Sequence, residues 1–176
     1  MAEIFKQDMF FGAAINHLLS KNVDSFNSLL EGTGETRQAR MYKMLTSTSE
    51  DFRIYMKYCS HGTKLLRTDT TTWQFSITDS DHSRINECIS SGEKTYIVLV
   101  CGSESYVGGE IVVLTQNEFL AVSHKQSLTI KVRKGCRQIE VAEKGGIGLK
   151  IDRNRSSNKK LTDIEDCNNL EKYKNQ

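Results

Sequence analysis

The sequence predicts an α+β protein in which N-terminal helices precede a mixed, largely antiparallel sheet with two further helices and a C-terminal strand meander. Three observations carry that expectation. Apolar residues recur at spacings of three and four over the first 45 positions, and from Phe52 the spacing changes to two. The intervals between later apolar runs are mostly shorter than the crossover of about a dozen residues that parallel neighbours need.

Taken in order, Phe11, Ile15, Leu18 and Leu19 mark one helix face. Asn22 is placed to cap a second short helix carrying Phe26, Leu29 and Leu30, stopped by Gly32. Ala39, Met41, Tyr42 and Leu45 suggest a third, with Arg37, Arg40 and Lys43 on its polar side. Phe52, Ile54, Met56 and Tyr58 then alternate with Arg53, Tyr55, Lys57 and Cys59 as in a strand, and Trp73, Phe75 and Ile77 repeat the pattern. Asp79 or Ser80 is placed to cap a helix over Ile85, Cys88 and Ile89 that Gly92 ends. The run Tyr96 to Cys101 is apolar without alternation, which places it at the centre of a sheet covered on both faces.

After a glycine-bearing connection, Ile111 to Leu114 reads as a strand. Thr115-Gln116-Asn117-Glu118 matches the capping box that opens a helix over Phe119 and Val122. Leu128 to Val132, Ile139 to Val141 and Ile147 to Ile151 form the meander, parted by Lys134-Gly135 and Lys144-Gly145-Gly146. The expected organisation is a single domain over 1–155, helical over 1–45 and sheet-forming over 52–151. A polar, partly disordered tail over 156–176 follows, where Leu161, Ile164 and Leu170 are sparse apolar points.

The 176 residues, 38% hydrophobic and 26% charged, exclude disordered, collagen-like and disulfide-scaffold classes. The longest apolar run falls far short of the roughly 18 residues of a membrane span, and the start MAEIFKQDMFF has no secretory pattern. Cys59, Cys88, Cys101, Cys136 and Cys167 are odd in number and widely separated, as in a reducing compartment, so a cytoplasmic location is expected. No proline, and six alanines beside fifteen lysines and ten asparagines, indicate a low-GC coding sequence. Such a bias is compatible with a phage or mobile-element accessory gene.

Charge is unevenly placed. Residues 124 to 160 hold 11 Lys and Arg against 3 Asp and Glu, while residues 1 to 123 hold 11 against 15. Alternation on the strand Leu128 to Val132 puts Lys131 and Arg133 opposite its apolar side, and Lys134, Arg137, Lys150, Arg153 and Arg155 follow in neighbouring turns and strands. These seven are the expected anion-binding residues, attracting phosphates or an acidic protein surface through their summed field. Equally, such cations decorate a solvated sheet and discourage stray strand pairing. The stretch from His124 to Lys160 holds no Phe, Tyr or Trp, so it offers no base-stacking platform. Trp73, Phe75, Tyr55 and Tyr58 would form one if the first two strands pair, but such residues more often fill a core against helices.

Catalytic patterns are weaker. Asp79, Asp81 and Glu110 would suit a hard divalent cation in a nuclease or phosphodiesterase, although Asp-Ser-Asp before a helix is an ordinary cap. Cys101 before Gly102-Ser103 would need a base from His61, His82 or His124 to act as a nucleophile. His61-Gly62-Thr63 is half of a paired phosphoesterase arrangement whose second half is missing, and the histidines have no zinc spacing. Gly145-Gly146-Ile147-Gly148 lies between strands and is better read as a hairpin turn than as a phosphate loop.

The expectation is a small intracellular binding protein without a cofactor, contacting nucleic acid or a nucleic-acid-bound complex first, an acidic protein surface second, and no membrane. A homo-oligomer is compatible. The alternatives are the metal-dependent nuclease, and a protein-inhibitor or oligomer module acting through the N-terminal helices.

Overall fold

In the computed structural model, the described residues are 5–21, 26–31, 39–46, 51–105, 108–124, 126–143, 146 and 148–167. Helix α1 (Lys6–Lys21) is followed by strands β1 (Phe26–Glu31), β2 (Ala39–Thr46) and β3 (Phe52–Cys59). A hairpin of β4 (Thr63–Leu65) and β5 (Thr70–Ser76) leads to helix α2 (Asp79–Ser90) and strand β6 (Lys94–Cys101). Then come β7 (Glu110–Thr115), α3 (Gln116–Val122), β8 (Ser127–Arg133), β9 (Gln138–Glu143) and β10 (Gly148–Asp152). A one-turn helix α4 (Arg155–Asn158) and a 3-10 turn at Leu161–Asp163 close the described chain.

The strands form two five-stranded sheets, in the orders β1-β2-β3-β6-β7 and β10-β9-β8-β5-β4. Only β3 and β6 pair in parallel among the described strands, the chain between them running through the β4–β5 hairpin and α2. The α+β class therefore holds, with a mixed, largely antiparallel arrangement, but the expected single sheet is two, and the expected second and third helices are strands.

The physical reason for that correction is burial on both faces. Ala39 and Met41 of β2 face the space between the sheets, whereas Tyr42 and Met44 face α1. Apolar side chains of both parities mimic helical spacings of three and four, and Arg40 and Lys43 take Asp8 and Glu93 as partners instead of lying on a solvated helix face. Strand β1 pairs with β2 along its length.

The first sheet is the middle layer. One face, through Tyr55, Ile97, Leu99 and Leu114, meets the second sheet's Trp73, Phe75, Ile130, Val141 and Leu149, with α2 and α3 adding Ile85 and Phe119. Its other face, through Ile54, Met56, Tyr96 and Val98, is covered by Phe11, Ala14 and Leu18 of α1 and by Leu161 and Ile164. Leu161 and Ile164, expected in a polar tail, are thus buried; residues 168–176, including Leu170, lie outside the described set. The aromatic residues considered for base stacking, Trp73, Phe75, Tyr55 and Tyr58, are all core.

The starts of α2 and α3 are capping boxes. Thr115 and Glu118 form the expected one, and at α2 the cap is Thr78 with Asp81 completing the box, one residue earlier than expected. Gly92, with φ of 75°, terminates α2 as anticipated. Gly102 leaves no room for a side chain, since a Cβ there would lie 2.6 Å from the Ser60 carbonyl; its own carbonyl accepts from Trp73 Nε1 at 2.8 Å. Among the described residues, no helix is long and apolar enough to cross a membrane.

Candidate anion-binding face

The second sheet buries one face and leaves the other to solvent, and strand alternation decides which residues stand there. On β8, Leu128, Ile130 and Val132 are buried while Lys131 and Arg133 are exposed. On β10, Leu149 and Ile151 point inward and Lys150 outward. The strand registers align Thr63, Thr72, Lys131, Glu140 and Lys150 in one row across the sheet, and Leu65, Thr70 and Arg133 in the next. With strands about 4.8 Å apart, Lys131 and Lys150 stand about 10 Å from each other, on either side of Glu140.

Lys131, Arg133, Arg137 and Lys150 line one hollow of about 570 Å³ on this face, together with Thr70, Gln138 and Glu140. A second hollow of about 640 Å³ shares Lys131 and runs toward His61, Leu65 and Gln74. Glu140 lies 3.3 Å from Lys131, an exposed pair worth little in solvent. Arg133, Arg137 and Lys150 contact no carboxylate among the described residues. Lys134 stands 83% exposed beside the hollow, 3.7 Å from Asp69, which also pairs with Lys64 at 3.3 Å.

The other two expected residues are elsewhere. Arg153 makes a forked pair with Glu110, Nε donating at 3.2 Å, in an adjoining cleft between α4, the end of α1 and the β8–β9 turn that shares Cys136 and Arg137 with the cationic hollow. Arg155 is nearly buried and donates to the fully buried Glu118 at 2.7 Å, to the Val113 carbonyl at 3.3 Å and to the Glu165 carbonyl. Glu118 also accepts from the Cys167 amide at 2.8 Å and the Thr115 amide at 2.9 Å. Its carboxylate thus fastens the C-terminal segment, and Arg155 is a structural cation. A burial that removes it from any ligand could not be read from its position after a basic strand.

The carboxylates of the nuclease alternative do not converge. Asp79 is exposed on the first turn of α2, and Glu110 is engaged by Arg153. Asp81 is 5% exposed and accepts from Lys57, from the Tyr55 hydroxyl and from the Thr78 amide at 2.7 Å. Burial alone would raise its pKa, but these donors outweigh it and hold the carboxyl below its ordinary value. Among the described residues no group of three or more His, Cys, Asp and Glu side chains could hold a metal ion.

Cys101 is fully buried, and desolvation pushes its thiol well above the ordinary value, the opposite of nucleophile activation. None of the three histidines serves it: His61 lies 3.0 Å from Ser60 Oγ, His82 packs on Phe119, and His124 lies 2.6 Å from Glu143. Two features escaped sequence reading. The Lys57–Asp81 pair was signalled only by a lysine in a strand whose neighbours are apolar at both parities, and the exposed Leu65-Leu66 pair by two leucines between Lys64 and Arg67. No family model, curated protein or solved structure matches the chain.

Proposed function

We propose that this chain is a non-enzymatic binding module of the cytoplasm that takes an anionic partner, nucleic acid first, on the outer face of its second sheet. The observation that carries the reading is the gathering of Lys131, Arg133, Arg137 and Lys150 around one hollow, three of them without a carboxylate partner among the described residues. A rigid sheet adds no backbone ordering cost to binding, and each phosphate its cations neutralise releases condensed counterions. The residues around them are Thr70, Cys136, Gln138 and Glu140, with no aromatic side chain among the described lining. Recognition is therefore of the phosphate backbone rather than of stacked bases.

Arg153 and Arg155 have no part in this surface, since Glu110 and Glu118 occupy them. The test is a binding titration with mixed-sequence duplex DNA, comparing the natural chain with the triple variant K131E/R133E/K150E. All three side chains are exposed, so the variant is expected to fold and to bind at least about tenfold more weakly. Binding unchanged by the three reversals contradicts the proposal.

A further inference from the structure

At the tip of the β4–β5 hairpin, Leu66 is 85% exposed and Leu65 57%. Leucines exposed singly are ordinary, but these are adjacent, where β4 enters the hairpin turn, and flanked by Lys64 and Arg67. The tip is closed by local contacts. The Thr68 amide donates to the Leu65 carbonyl at 3.3 Å and the Asp69 amide to the Leu66 carbonyl at 3.4 Å. Asp69 takes a left-handed conformation with φ of 47°, accepts from the Lys134 amide at 3.0 Å, and pairs through its carboxylate with Lys64 and Lys134. The hairpin is thereby tied to the β8–β9 turn, and Leu65 lines the hollow that Lys131 shares with the cationic one.

This inference rests on the nucleic-acid reading above. We propose that Leu65 and Leu66 are an apolar wedge that enters the minor groove of a duplex and unstacks a base step, while Lys131, Arg133 and Lys150 hold the adjoining backbone. A backbone-reading face with no stacking platform gains little from a single strand, whereas unstacking and bending a duplex brings more of it against the cations. Charge complementarity sets the occupant: lysine and arginine flank the leucines, and the nearest face is cationic.

The experiment is energy transfer across an end-labelled duplex of about 20–30 base pairs, with the natural chain and with L65S/L66S, beside co-sedimentation with phosphatidylserine vesicles. The natural chain bends the duplex by roughly 20–90°. The variant binds it within about tenfold of the natural affinity and leaves it straight. A duplex that stays straight when bound, or that both proteins bend equally, overturns the wedge and leaves the binding face standing. Vesicle capture that depends on the two leucines, with the duplex unbent, also overturns it by assigning them to a lipid surface. A natural chain that binds no duplex overturns the binding face itself, and the wedge with it.

Discussion

Lys57 and Asp81 meet where β3 passes the start of α2, both side chains under a tenth exposed. Removing one partner of such a pair leaves an uncompensated buried charge, so Asp81→Ala is expected to cost about 3–5 kcal/mol, measured by urea denaturation. An effect under about 1 kcal/mol, the range of exposed pairs, would contradict the buried geometry. Because the Asp81 pKa is lowered on folding, its contribution is fully present above the unfolded value of about 3.9. It is lost as pH falls through the lower folded value. Asp81→Asn therefore removes part of the acid-induced loss of stability. Thiol chemistry separates residues in the same way. Cys136 is exposed, whereas burial first and Glu118 next push Cys167 up to about 12, and Cys101 is sealed in the core. Alkylation of the folded chain at pH 8 is expected at Cys136 first and at Cys101 last, read by mass spectrometry; early labelling of Cys101 would contradict its burial.

At the scale of elements, what the sequence made legible depended on how many faces each element buries. Strands β5, β8 and β10 have one solvated face, so period two was visible, and the capping box at Thr115 and Glu118 announced α3. Strand β2 is covered on both faces and its apolar residues followed no period of two, which made it look helical. The segment from Arg155 to Cys167 was illegible for a different reason. Beside the buried Leu161 and Ile164, its anchorage is polar and long-range: Arg155 to Glu118, Asp166 to Thr115 and to Asn117 at 2.8 Å, and the Cys167 amide to Glu118. Arg155→Met strands the Glu118 carboxylate, costs about 3–5 kcal/mol, and frees the segment, so trypsin should cut after Lys159 or Lys160 faster than in the natural chain. Unchanged cleavage would contradict the latch.

On the scale of the whole molecule, α1 and the C-terminal segment cover one face of the first sheet, the second sheet covers the other, and the second sheet's outer face is left to solvent. That layering sorts the basic C-terminal third. Lys131, Arg133, Arg137 and Lys150 reach the open face, and Arg153 and Arg155 are drawn to carboxylates of β7 and α3. Alternation along β8 was enough to place Lys131 and Arg133 from sequence. The partners of Arg153 and Arg155 lie 43 and 37 positions away, and only the tertiary fold brings them near. In the proposed binding mode the open face, and not the basic segment as a whole, neutralises phosphates. Its most direct measurement is the dependence of duplex affinity on salt concentration for the natural chain, K131E/R133E/K150E and Arg153→Gln. The expected slope of log K against log salt is about −3 to −4 for the natural chain, flattened by about 3 in the triple variant, and unchanged for Arg153→Gln. A triple variant with the natural slope, or a slope altered by Arg153→Gln, would contradict it.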